Sequence, residues 1–142
     1  MNGDLIFYPV LAMALVTLLI YVRLINVKVR ELKADNVDRP RRGLHEDAWP
    51  DSVLQINNNI RNQFELPVLF YVVCFVLWAL EAVGTLALVA AWLFVVSRFA
   101  HAWVHLTSNY IPNRRRLFTV GWWILLFMVL LAAWQLVGRS IT

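Results

Sequence analysis

Two groups of polar side chains interrupt an otherwise apolar sequence and have the residue types needed for chemistry. One group lies in the segment NNNIRNQFELP and the other in SRFAHAWVHLTSNY. Within each segment the polar residues recur at helical spacing, so they share one face of a helix. Their members are Asn58, Arg61, Asn62, Glu65, Arg98, His101 and His105. Ionisable residues within apolar helices are energetically unfavourable, and they usually face the protein interior where they have a partner or a function.

The charges in these segments favour an anion as ligand. The arginines Arg61, Arg98 and Arg114 outnumber the carboxylate of Glu65. Guanidinium groups bind carboxylates through paired hydrogen bonds, and a low dielectric strengthens that contact. An amphipathic anion therefore fits, and an apolar second molecule could enter from the side. A purely structural alternative stays open, in which Glu65 and Arg98 form an interhelical ion pair that fixes helix register.

A metal site is the weaker interpretation of the histidines. His101 and His105 have the i, i+4 spacing of a metal-binding pair, but Arg98 lies one turn away and repels a cation. No further cysteine or carboxylate cluster supports a metal, so we predict none. The single cysteine, Cys74, lies in an apolar run and cannot form an intrachain disulfide.

Composition indicates the fold class that positions these polar residues. The chain has 142 residues, of which 61% are hydrophobic and 15% are charged, whereas a soluble domain carries about a quarter charged residues. Continuous apolar runs favour helices over a β-barrel. We predict an all-α integral membrane four-helix bundle that forms a single domain over residues 1–142. The predicted spans are approximately residues 5–25, 58–80, 84–107 and 117–138.

The connections between spans predict topology. Residues 81–84 are too few for anything but a tight hairpin, and Pro67 predicts a kink just after Glu65. Lysine and arginine concentrate in the first and third loops, so we expect these loops in the cytoplasm and both termini outside. This clustering between apolar runs argues against nucleic-acid binding. A compact chain with no evident targeting segment suits a bacterial inner membrane.

Three segments together resemble one family. NNNIRNQFELPVLFY, SRFAHAWVHL and PNRRRLF look like the superfamily of membrane-associated proteins in eicosanoid and glutathione metabolism (MAPEG), in a bacterial-type member. The resemblance implies a homotrimer with glutathione, or a related thiol, bound between neighbouring subunits near the cytoplasmic side. The glutathione contacts that it implies are Arg61, Asn62, Glu65, Arg98 and His101. Arg114 corresponds to the arginine that stabilises the thiolate in catalytic members.

The sequence departs from that family at aromatic positions. His105 and Phe118 stand where several members have tyrosine. We expect a thiol-dependent transferase or peroxidase acting on hydrophobic electrophiles, with Arg114 as catalytic residue and His105 as an assisting proton acceptor. The alternative is a non-catalytic membrane module, either lipid-binding or a subunit of a larger membrane assembly. A channel or transporter is disfavoured, because no repeat or broken helix pair is visible.

Overall fold

The computed structural model describes residues 2–141, which contain helices and connecting turns and no strand. A short 3₁₀ turn, Gly3–Ile6, leads directly into the first helix, and another, Glu46–Ala48, lies in the first loop. The five α-helices are α1 (Phe7–Lys33), α2 (Asp51–Gln63), α3 (Leu66–Ala79), α4 (Thr85–Leu106) and α5 (Ile111–Ile141).

Within residues 2–141, four helical stretches are long and apolar enough to cross a membrane. They are Gly3–Lys33, Asp51–Ala79, Thr85–Leu106 and Ile111–Ser140, the second of which combines α2 and α3. The shortest has 22 residues and extends about 33 Å, against a hydrocarbon core of about 30 Å. The predicted all-α, four-span membrane fold is therefore confirmed, while the homotrimer stays a prediction.

The core of the bundle consists of two apolar clusters. In the larger one, Phe70 of α3 and Phe94 of α4 stack with ring centroids 4.5 Å apart. The smaller cluster joins α1, α2 and α4 through residues such as Ile20, Ile56 and Ala102. Many large apolar side chains remain on the outer faces of the helices. Lipid is the solvent that such a surface requires.

The predicted kink at Pro67 is a complete break between α2 and α3. Phe64 (φ −101°, ψ 14°) and Glu65 (φ −103°, ψ −103°) leave helical geometry, and α3 begins at Leu66. Proline has no backbone N–H and clashes with the preceding turn, which explains why the helix breaks here. At the break Glu65 is exposed, as are Asn58 and Arg61 in the preceding turns of α2.

The first loop folds over the end of the bundle. Buried Glu31 accepts hydrogen bonds from Arg30 (2.8 Å), Asn36 (2.9 Å) and Ser52 (3.0 Å), which connects α1 with α2. Farther along the loop, Arg41 donates a 2.8 Å hydrogen bond to Asp47 and holds the pKa of that carboxyl below its usual value. The loop therefore has a defined conformation beside α2.

Candidate functional site

A polar cleft of about 300 Å³ lies where α2, α4 and α5 meet. Its walls are Asn62, His101, Ile111, Arg114, Arg115 and Phe118. Three residues singled out from the sequence, Asn62, His101 and Arg114, therefore line one cavity although they come from three different helices. The cleft carries two arginines and no acidic side chain in its lining. Its electrostatic character is positive.

Arg98 lies directly behind this cleft and is 0% exposed. It donates a 3.3 Å hydrogen bond from Nη2 to the backbone oxygen of Asn62, and its guanidinium carbon lies 5.3 Å from the centre of the Phe118 ring. Both neighbours are wall residues of the cleft. Nε and Nη1 of Arg98 have no hydrogen-bond partner in the described part of the chain.

Gly121 lets α5 approach α4 closely over this buried arginine. A Cβ atom at Gly121 would lie 3.0 Å from Oγ of Ser97 and 3.4 Å from Cδ of Arg98. Glycine therefore lets α5 cover the stem of Arg98, which keeps water away from the charge. In a low dielectric, such a charge acts strongly on groups in the adjacent cleft.

The expected direct pair between Arg98 and Glu65 does not form among the described residues. Glu65 is exposed beside the helix break, and its charge attracts Arg98 at longer range. The same break leaves the carbonyl of Asn62 at a helix end, where it can accept the hydrogen bond from Arg98. Arg98 therefore contacts a backbone oxygen where we expected a carboxylate.

Both predicted histidines are buried on the same face of α4. Their ring centroids are 5.9 Å apart, and the ring of His101 also lies 6.0 Å from that of Phe118. The Nδ1 atoms of His101 and His105 have no hydrogen-bond partner among residues 2–141. His101 lines the cleft, whereas His105 lies one turn farther along α4 and does not.

Arg114 stands in the first turn of α5 at the edge of the cleft. Its Nη1 donates a 2.6 Å hydrogen bond to Oδ1 of Asn109, which has a positive φ of 51°. Asparagine tolerates that left-handed conformation better than most residues. The Nε atom of Arg114 is buried, and within the described residues it has no acceptor. The hydrogen bond to Asn109 therefore fixes Nη1 of Arg114, and the N–H group at Nε remains available to another acceptor.

Arg61 lies outside the cleft in the single chain. It is exposed, forms an ion pair with Glu46 of the first loop, and contacts Asn58 at 3.5 Å. Of the residues predicted to bind the thiol, the structure thus brings Asn62 and His101 together with Arg114, and places Arg98 behind them. It leaves Arg61 and Glu65 on the outer surface of the subunit.

Two further polar residues, which were not predicted from the sequence, connect α2 with α4 beside the site. Asn59 is fully buried and donates to the backbone oxygen of Ala102 at 3.1 Å, and Gln63 donates to Oδ1 of Asn59 at 3.0 Å. These bonds fix α2 against α4 just beneath Asn62. The i, i+4 spacing of Asn59 and Gln63 could have indicated a second polar face on α2.

The sequence profile of the MAPEG family matches residues 6–134, which is nearly the whole chain. The chain belongs to the MAPEG family. No curated protein and no solved structure matches it. MAPEG proteins include glutathione transferases and peroxidases together with members that have other roles. Family membership therefore establishes the membrane-embedded helical fold, whereas an activity has to be inferred from the residues of the site.

The cleft of this MAPEG protein has the residue types that could hold an anionic ligand. Among the described residues, Nε of Arg114 has no acceptor, and the guanidinium of Arg98, buried behind the wall, has the charge of Glu65 only at longer range. Carboxylate and thiolate groups supply both an acceptor and a negative charge. Asn62 and His101 add neutral polar groups to the same wall. The residues present are therefore compatible with the ligand class that the family uses.

Proposed function

We propose that this protein is a membrane-embedded transferase or peroxidase that uses glutathione, or a related low-molecular-weight thiol, on hydrophobic electrophiles. One observation carries the proposal. Arg98 is completely buried, its Nε and Nη1 atoms have no partner among the described residues, and it lies behind a cleft lined by Asn62, His101 and Arg114. Burying a cation is unfavourable, Glu65 attracts Arg98 only at longer range, and an anion in the cleft would offset more of that penalty.

Arg114 is the proposed catalytic residue. It stands at the cleft edge, is held by Asn109, and retains a buried donor at Nε. A guanidinium beside the thiol favours the thiolate, which is the nucleophilic form. Arg98 adds a fixed positive charge from behind the wall, through a medium that screens it weakly. Together the two charges would keep the thiol ionised at neutral pH.

The histidines have different proposed roles because only one lines the cleft. His101 would contact the thiol compound directly, along with Asn62. His105 would act as proton acceptor only through His101, whose ring centroid is 5.9 Å away. We therefore rank His105 below Arg114 in its contribution to turnover.

Arg61 and Glu65 are proposed to act in the assembled protein. Both are exposed in the single chain and lie within a few residues of the cleft wall at Asn62. In the proposed homotrimer, these side chains would contact the far end of a thiol compound bound between subunits. Their outward placement is what a shared site requires, since a single chain would then hold only part of it.

Two reactions are consistent with a bound thiolate. In transfer, the sulfur attacks an electrophilic carbon, a carbon–sulfur bond forms, and a leaving group departs or a proton is added. In peroxide reduction, a hydroperoxide and two thiols give an alcohol, water and a disulfide. The electrophile would enter laterally from the bilayer, because the outer faces of the helices are apolar. We place the cleft on the cytoplasmic side of a bacterial inner membrane, since basic residues cluster at that end.

Calorimetric titration of glutathione into the detergent-solubilised protein tests the proposal. We expect binding in the micromolar-to-millimolar range, weakened about tenfold or more in Arg98→Ala and in Arg114→Ala. Arg116→Ala is the matched control, because Arg116 is exposed in the same basic run and does not line the cleft. Thermal melting of each variant shows that it is folded. No binding by the wild type at several millimolar would overturn the proposal.

The second candidate function is a non-catalytic membrane module. Arg98 contacts Asn62 of α2 and Phe118 of α5 from its position in α4, so it joins three helices without any ligand. Phe118 also offers no hydroxyl group to a bound thiol. Purification in mild detergent would support this function if stoichiometric foreign subunits were recovered and glutathione did not bind.

A further inference from the structure

A second cavity lies on the outer face of the bundle, between α1 and α4. It is an apolar groove of about 180 Å³ that shares no lining residue with the polar cleft. Buried Ile20 and Ala102 form its floor, and the small side chain of Ala102 gives it depth. Because the groove opens outwards from a membrane-spanning helix pair, its natural occupant is a molecule of the bilayer.

The walls of this groove suit an extended hydrocarbon chain. Leu19, Phe99 and Trp103 line it and are each more than half exposed, at 58%, 54% and 63%. The rings of Phe99 and Trp103 are nearly parallel, with 24° between their planes and centroids 6.5 Å apart. They form a continuous aromatic wall along α4. An acyl chain laid in the groove would contact this wall on one side and Leu19 on the other.

Arg23 closes one end of the groove. It is the first charged residue after the apolar run of α1, so it marks the edge of the hydrocarbon layer. One of its N–H groups, at Nη2, donates a 3.1 Å hydrogen bond to the backbone oxygen of Leu106 at the end of α4. The side chain is exposed, and a guanidinium has further donors that suit phosphate.

We propose that this groove is a binding site for a phospholipid with a net negative headgroup. One acyl chain lies over Ile20 and Ala102, and the phosphate contacts Arg23. No acidic side chain lines the groove, so its own walls supply no counter-charge to Arg23. As the first charge after the apolar run of α1, Arg23 would lie near headgroup phosphates, which makes an anionic lipid a better occupant than a neutral apolar helix.

Native mass spectrometry of the full-length protein in detergent tests the proposal, with phosphatidylglycerol and phosphatidylcholine of identical acyl chains as probes. We expect the wild type to prefer phosphatidylglycerol about fivefold. Arg23→Gln should abolish the preference, and Arg23→Lys should restore part of it. Arg116→Gln, which removes an exposed arginine remote from the groove lining, should leave the preference intact.

Three results would overturn the proposal. The first is equal binding of the two lipids by the wild type. The second is an equal loss of preference in Arg23→Gln and Arg116→Gln, which would indicate general surface charge. The third is a fall in oligomer mass in Arg23→Gln with lipid binding unchanged, which would identify the groove as a contact between copies. None of these results depends on whether the protein binds a thiol.

Discussion

Arg98 of α4 donates a hydrogen bond to the backbone oxygen of Asn62 over 3.3 Å, at the point where the second membrane span breaks. The break thus frees the carbonyl of Asn62 as an acceptor, and buried Arg98 donates a hydrogen bond to it. Because Asn62 also lines the polar cleft, this one bond connects the helix break, the buried charge and the site.

The charge of Arg98 and its hydrogen bond can be separated by substitution. Arg98→Gln keeps a donor within the core but removes the charge, and Arg98→Lys keeps the charge but loses the planar fork. If the charge holds the anion, glutathione binding should be about tenfold weaker in Arg98→Gln than in Arg98→Lys. Calorimetry measures both. Equal affinities in two folded variants would contradict an electrostatic role.

The ion pair between Arg61 and Glu46 should compete with thiol binding. If Arg61 contacts the thiol compound, Glu46→Gln frees it and should tighten glutathione binding. An exposed ion pair is worth up to about 1 kcal/mol, so the gain should not exceed roughly fivefold. Asp47→Asn is the control, because Asp47 pairs with Arg41 in the same loop. Unchanged affinity in Glu46→Gln, or an equal gain in Asp47→Asn, would remove Arg61 from the thiol site.

The buried amide of Asn59 should stabilise the contact between α2 and α4. Asn59→Ala removes the donor to Ala102 and the acceptor for Gln63, which we expect to lower the free energy of unfolding by about 1–2 kcal/mol. Asn58→Ala, on the exposed side of the same helix, should change it by less than about 0.5 kcal/mol. Denaturant titration in detergent measures both. Similar effects would show that the buried network contributes little.

Gly121 should be intolerant of a side chain. Leucine there would collide with Ser97 and the stem of Arg98, and overpacking of this kind typically lowers stability by about 1–3 kcal/mol. A Cβ at Gly138 in the same helix would meet nothing within 4 Å, so Gly138→Leu should be close to neutral. Thermal melts compare the two variants. A stable Gly121→Leu variant would show that α5 can move away from α4 without penalty.

The architecture could be predicted because its causes are local. Apolar runs predict spans, and the missing N–H of Pro67 predicts a disturbance of the second span. The direction of that disturbance depends on the φ and ψ angles of Phe64 and Glu65, which no residue pattern specifies. Continuous helical geometry therefore predicts Glu65 beside Arg98, whereas in the structure Glu65 is exposed at the break and forms no ion pair with Arg98.

The site was only partly predictable because some contacts depend on partners far along the chain. The carbonyl of Ala102 distinguishes buried Asn59 from exposed Asn58, although the two are adjacent in a run of identical residues. Likewise, Glu46 in the first loop determines where Arg61 points. Residue type indicated which polar side chains are unusual within apolar spans. Tertiary packing determines which of these side chains contact each other.

Binding of the thiol as its anion in the cleft is tested most directly by the ultraviolet difference spectrum of glutathione bound at neutral pH. We predict thiolate absorbance when the wild type binds glutathione. The signal should persist in Arg116→Ala and disappear in Arg114→Ala at saturating ligand. Glutathione that binds the wild type but remains a protonated thiol, or that does not bind at all, would contradict the account.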